Sequence, residues 1–221
     1  MFKLMQPHYA IFGGSFNPIH RGHVAVVEHL LKLEVDKVVV IPTSRSPFKL
    51  QEQLLPNALR MEMVRHTFQE WEKVIISDIE IKTHQVQYTY HTLKHLHIQY
   101  PRVIWHLVVG WDAYQDFPKW KEAKQIINST TLWIVQRSDL SLQQKESVPK
   151  FIMTPTLARW FEGIEWNPKK LSASCQGQEV VRYLEIETPP ISSTDIRSGR
   201  AGLEWIPSKA KQLYLEFLNK P

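Results

Sequence analysis

Two imidazoles, His20 and His23, stand three residues apart behind a pair of glycines, Gly13 and Gly14. A short apolar run, Tyr9-Ala10-Ile11-Phe12, leads into the glycines, and an amphipathic run starts near Gly22. The stretch Gly13-Gly14-Ser15-Phe16-Asn17-Pro18-Ile19-His20-Arg21-Gly22-His23 therefore predicts a strand, a tight turn and a helix start. Residues three apart at a helix opening share a face, so both rings can reach one anion. Glycine lets the backbone approach a phosphate with no Cβ in the way. A helix N-terminus adds unpaired N–H groups and the positive end of a dipole. A polyphosphate is the ligand that uses all three. Two plainer roles compete: capping or surface histidines, and a metal site. The metal site needs further ligands, and at nearby helical spacing only Glu28 is available.

A second segment, Ile191-Ser192-Ser193-Thr194-Asp195-Ile196-Arg197, follows Thr188-Pro189-Pro190. Ser192 or Ser193 predicts an N-cap, and Asp195 suits a first helical turn. An ordinary cap with a solvated Arg197 is one role for it. The other is a second phosphate clamp, made of hydroxyls, free N–H groups and a guanidinium.

The elements that would carry these residues alternate. Strands are expected at Tyr9–Phe12, Val38–Ile41, Val74–Ile76, Val103–Val109, Thr131–Val135 and Glu179–Ile186. Helices are expected from near Gly22 to Glu34, from Pro56 (as first helical residue) to Glu70, at Tyr88–Tyr100, Lys121–Ile127 and Pro207–Leu218. Val38-Val39-Val40-Ile41 is an unbroken apolar run of the kind buried on both faces. The expected architecture is α/β: a doubly wound, mostly parallel sheet with a small C-terminal helical region, in one domain over residues 1–221. In such sheets ligands bind beyond the carboxyl ends of the strands. Gly13-Gly14, Pro42-Thr43 and Gly110-Trp111-Asp112 all fall at such ends. Residues 138–178 fit no such unit and read as an insertion or extended connection.

Composition narrows the partners. The 221 residues carry 27 Lys and Arg against 22 Asp and Glu, a net charge of +5, which suits anionic ligands. The basic residues are scattered, with no run longer than Lys169-Lys170, which argues against nucleic acid. The single cysteine, Cys175, excludes an intrachain disulfide and fits a reducing cytoplasm. Met1 to His8 is too short and polar for a signal peptide. The longest apolar run, near Val103 to Trp111, is too short to span a bilayer. Self-association into a homo-oligomer stays open.

The two motifs, in this order and at this distance, resemble those of the nucleotidyltransferase superfamily, His-x-Gly-His and Ile-Ser-Ser-Thr-x-Ile-Arg. Within it the chain is most similar to the bacterial nicotinate mononucleotide adenylyltransferases. The resemblance covers Tyr9 to Arg137 and resumes from about Glu179 to Leu218. It implies ATP bound along Gly13, Gly14, Ser15 and Phe16, at Gly110 and Asp112, and along Ile191 and Ser192. The ATP phosphates would lie at His20, His23, Ser193, Thr194 and Arg197, with Mg2+ carried on them and no protein metal ligand. His20, His23 and Arg197 would be catalytic. For the acceptor, nicotinate mononucleotide, the resemblance implies Lys49, Tyr88, Thr89, Trp120 and Arg137. The pattern is broken at His91, where an Asp is usual, at Trp111, where a small residue is usual, and at Ser138-Asp139, where Pro-Gly often follows the Arg.

Overall fold

Alternation along the strands decides the architecture. In the strand β2 (Lys37–Pro42), Val38 and Val40 join one apolar cluster, while Val39 and Ile41 join another. The strand β1 (His8–Gly14) does the same, with Ala10 and Phe12 on one side and Ile11 on the other. A strand apolar on both faces needs cover on both faces. The computed structural model, which describes residues 6–44, 54–82, 88–137, 148 and 152–219, supplies it with helices.

On one face lie α1 (Arg21–Lys32), α2 (Asn57–Phe68) and α8 (Ser208–Leu218), which contribute Val26, Leu30, Val64, Phe68 and Tyr214 to the first cluster. On the other lie α3 (Thr89–Gln99) and α5 (Ala123–Ser129), which contribute Leu93, Leu96, Ile126 and Ile127 to the second. The remaining strands are β3 (Val74–Ile76), β4 (Ile104–Gly110), β5 (Thr131–Arg137), β6 (Glu165–Asn167), β7 (Ser172–Cys175) and β8 (Gln178–Ile186). Short helices α4 (Trp111–Gln115), α6 (Pro155–Trp160) and α7 (Ser193–Arg197) complete the described elements, with 3-10 turns at Phe117–Lys119 and Leu203–Trp205.

Among the described residues the sheet has eight strands, in the order β3-β2-β1-β4-β5-β8-β7-β6. All neighbours through β8 are parallel, and β8-β7 and β7-β6 are antiparallel. The chain reverses direction across the sheet between β1 and β4, so the loops after these two strands flank the crevice where such sheets bind ligands.

The structure refines several boundaries. The strand β1 runs on through both glycines, which pair with Ile41 and Pro42 of β2. Pro56 is the N-cap of α2 and not its first residue. The helix α5 starts at Ala123, because Glu122 takes a left-handed backbone (φ 55°) that no helix includes. Leu33 turns extended and ends α1 short of Glu34. Within residues 138–178, the described part holds α6, capped by the Thr154 hydroxyl, and the β6–β7 hairpin, which extends the sheet.

Candidate active site

The turn after β1 is built around one ring. Phe16 is fully buried and takes φ 43°, an uncommon region for a bulky residue. Its ring lies over Gly14, where an added Cβ would stand 3.2 Å from it. A side chain at 14 would therefore press on the buried Phe16 ring. The turn is tied down from three directions. Leu55 N–H donates to Asn17 Oδ1 (2.8 Å). Ser193 Oγ donates to the Pro18 carbonyl (2.9 Å), and Arg197 Nη1 to the Asn17 carbonyl. Arg60 Nη1 donates to the Ser15 carbonyl. These ties all end on oxygens of the turn and draw none of its N–H groups away.

Both histidines are buried at the end of this turn, His20 at 1% exposure and His23 at 8%, with ring centroids 3.8 Å apart. His20 is the N-cap of α1, and its N–H donates to His23 Nδ1 (3.2 Å). The capping role and the anion role are therefore compatible. With Nδ1 accepting, a neutral His23 carries its proton on Nε2 and keeps that N–H as a donor. Gly22 permits the arrangement: a Cβ there would sit 3.0 Å from the His20 ring and 3.4 Å from Ile191. Ile191 is buried beside it, so the two motifs pack against each other at Gly22.

Ser192 is the N-cap of α7, accepting from the Asp195 N–H at 3.1 Å. The Ser192 hydroxyl donates to Asp195, and Arg200 meets the same carboxylate at 2.8 Å. The hydroxyl first, then Arg200, holds the Asp195 carboxyl below its ordinary range. Arg197 Nη2 lies 3.4 Å from Thr194 Oγ1. Arg197 thus ties α7 to the turn, a positioning contact beyond the phosphate role expected for it.

Beside the turn opens a cavity of about 580 Å³. Gly13, Gly14 and Ser15 form one wall; Tyr88, Thr89 and Trp120 line it as well. The turn after β1 and three of the expected acceptor residues thus share one space. Gly110 is the N-cap of α4, Asp112 lies in its first turn, and Ala113 reaches the cavity. Trp111 faces elsewhere: it lines a separate groove of about 330 Å³ with Tyr114, Thr154 and Trp160, so the unusual bulk at 111 packs near the α6 segment. His20, His23, Ser193, Thr194 and Arg197 adjoin the turn without lining the 580 Å³ cavity. Lys49 lies outside the described residues. Arg137 ends β5, its backbone paired with Ile186.

Two residues escape sequence reading. Arg60, fully buried, donates to the carbonyls of Leu55, Ser15, Thr43 and Ser44 and to Asn57 Oδ1. It braces the loops after β1 and β2 from behind. The only hint was an arginine four residues before Val64, on the apolar face of α2. Glu80 lines the cavity and is buried; burial pushes its carboxyl up, against the opposing effect of the Thr92 hydroxyl that donates to it at 2.7 Å. Nothing in the sequence marks it.

Residues 11–199 match a family model described as cytidylyltransferase-like. A curated protein of Clostridium novyi, named probable nicotinate-nucleotide adenylyltransferase, is 30% identical over 210 residues, covering 91% of this chain and 92% of the relative. A Bacteroides fragilis protein of the same name is 34% identical over 140 residues, 63% of this chain and 70% of that one. Among solved structures, Plasmodium falciparum nicotinic acid mononucleotide adenylyltransferase complexed with NaAD covers 96% of this chain with 97% of its own. It shares the fold at a TM-score of 0.66 and 16% identity. Matched over most of its length by a family model and almost end to end by a curated relative, the chain belongs to the cytidylyltransferase-like family and, within it, to the nicotinate-nucleotide adenylyltransferases.

Proposed function

We propose that this chain transfers the adenylyl group of ATP to nicotinate mononucleotide. A phosphate oxygen of the acceptor attacks the α-phosphorus of ATP; the bond from that phosphorus to the bridging oxygen breaks, and pyrophosphate leaves with the electron pair. The acceptor phosphate is already ionised at neutral pH, so no general base is required. Catalysis then comes from positioning and from neutralising charge. The observation that carries this reading is the junction of the two motifs: Ser193 and Arg197 hold the Pro18 and Asn17 carbonyls, and the turn so held walls a cavity ending at Tyr88 and Trp120.

In this scheme the triphosphate lies along the turn and the start of α1. His23 donates from Nε2 toward the transferring phosphate, and His20, its ring tilted against that of His23, completes the imidazole surface. Thr194 and Arg197 border the leaving pyrophosphate. The pyridine ring stacks on Trp120, with Tyr88 and Thr89 on the same cavity wall. Among the described residues no group of three or more His, Cys, Asp and Glu is placed to hold a metal ion. Mg2+ would be carried in on the ATP phosphates beside His20, His23 and Arg197 and would offset the phosphate charge. No helix of the described residues is long and apolar enough to cross a membrane.

The test is product formation from ATP, a divalent cation and each of nicotinate mononucleotide, nicotinamide mononucleotide and phosphopantetheine. We expect nicotinate adenine dinucleotide and pyrophosphate in equal amounts, with the nicotinate acceptor used fastest. Preference for phosphopantetheine, or no pyrophosphate with any acceptor, overturns the assignment. Trp120→Ala should raise KM for the acceptor, since stacking of a base on an aromatic ring is worth about 1–3 kcal/mol. KM for ATP should stay within about twofold, on the order of an uninvolved surface change.

A further inference from the structure

Beside Trp120, Lys121 also lines the cavity. Its Nζ lies 4.8 Å from the centroid of the Tyr88 ring and 3.2 Å from Nε2 of His91. An ammonium has donors and no acceptor, so Lys121 donates and His91 Nε2 accepts. The imidazole is then neutral in this contact, with its proton on Nδ1. An aromatic face and a ring nitrogen, both at the start of α3, thus fix a cation that arrives from the segment before α5. The other cavity lysine, Lys119, is bonded to Asp116 at 2.7 Å. Lys121 has no carboxylate partner among the described residues. Its charge is held in place without being neutralised.

We propose that Lys121, posted by His91 and Tyr88, is a specificity-determining residue that receives the carboxylate on the acceptor's pyridine ring and so selects the acid over the amide. This rests on the adenylyl transfer assigned above. The two mononucleotides share ring, ribose and phosphate and differ by one charge at the ring edge. A pyridine ring against Trp120 and Tyr88 lies between the two residues that flank the ammonium in sequence and in space. A carboxylate there gains a charge-assisted hydrogen bond; a carboxamide offers only its neutral oxygen. His91 then has a reason to stand where an acidic residue is usual. A carboxylate at 91 would pair with Lys121, whereas an accepting imidazole orients it and leaves its charge for the ligand. Glu80, the buried carboxyl of the same cavity, accepts from the Thr92 hydroxyl at 2.7 Å.

The experiment is steady-state kinetics of the full chain with saturating ATP and either mononucleotide. For Lys121→Met, KM for nicotinate mononucleotide should rise about ten- to a hundredfold, the worth of one hydrogen bond to a charged group. KM for nicotinamide mononucleotide should change by less than about threefold, so the acid-to-amide preference collapses. Lys121→Arg should recover most of that preference. His91→Ala should lose about threefold of it, because the ammonium is less well held while its charge remains. Equal rises for both acceptors, or an unchanged ratio in Lys121→Met, overturn the inference and leave the transferase assignment standing. A wild-type chain that adenylylates neither mononucleotide overturns the assignment beneath it.

Discussion

Strand β1 has a pair of histidines in ring contact at each end, and the two pairs share almost nothing but their chemistry. At the carboxyl end, His20 and His23 lie with centroids 3.8 Å apart, three residues from each other in sequence. At the amino end, His8 stacks on His106 at 5.2 Å, with Nδ1 of the first 2.9 Å from Nε2 of the second. Behind His106 lies Trp133, stacked at 4.3 Å, and over Trp133 lies Arg182 at 5.5 Å. The first pair sits at the start of α1, where N–H groups and a helix dipole suit an anion. The second sits under an indole, among side chains that gather nothing. A pair of imidazoles is thus a site only through the backbone around it.

The sharpest way to break this contrast is at His23. Replacing it with Ala should lower kcat by roughly 10²-fold or more, the scale for losing one transition-state donor. It also removes the acceptor for the His20 N–H, a cap worth about 0.5–2 kcal/mol. His23→Gln separates the two effects. A Gln at this helix position can reach back to the N-cap N–H, so the melting temperature should recover while kcat does not. If His23→Gln turns over at near the wild-type rate, His23 is a cap and the two pairs are alike after all.

A smaller effect tests the backbone around the pair. Gly22→Ala places a methyl 3.0 Å from the His20 ring, which is buried and has little room to give. We expect kcat to fall about tenfold, since a displacement of about 1 Å in a positioning group can cost up to 10²-fold. ATP binding measured by calorimetry should weaken less than kcat. Equal losses in both would mean that Gly22 serves only the packing of Ile191.

How much of this was legible follows from the same contrast. The strand–turn–helix and the two glycines announce His20 and His23 because all the parts lie within a few residues. The meeting of the motifs was inferred from their order, and it occurs at the oxygens of Pro18 and Asn17. Arg60 is invisible in the sequence, because what makes it special is five acceptors, four of them on the loops after β1 and β2, that only the folded sheet brings together. His106 reads as a blemish in an apolar strand, since nothing local predicts that His8 lies beside it. The hairpin β6–β7 gives no strand signal, because Ser172-Ala173-Ser174-Cys175 has neither the bulk nor the branching that marks a strand.

The last prediction concerns the silent pair. Burial, then the charges of His8 and Arg182, lowers the His106 pKa to about 3. Its Nδ1 is buried with no hydrogen-bond partner among the described residues. A proton on Nε2, donated to His8, leaves only that lone pair unmet; a second proton on Nδ1 would strand a donor beside Arg182 and the indole. The unfolded chain binds a proton at His106 below its ordinary value of 6.5, and the folded chain does so only near 3. Between those limits the unfolded state holds more protons, so stability rises with pH and is lost as pH falls, by about 1.4 kcal/mol per pH unit from this one group. His29 and His97 are also lowered and act in the same direction, while the raised Glu80 acts in the opposite one. The comparison that isolates His106 is therefore a difference. Urea unfolding of wild type and His106→Leu from pH 7 to pH 4 should give a shallower slope in the variant, with kcat at neutral pH unchanged. Parallel slopes would show that the amino-end pair takes up its proton without cost, and burial would no longer distinguish it from a solvated pair.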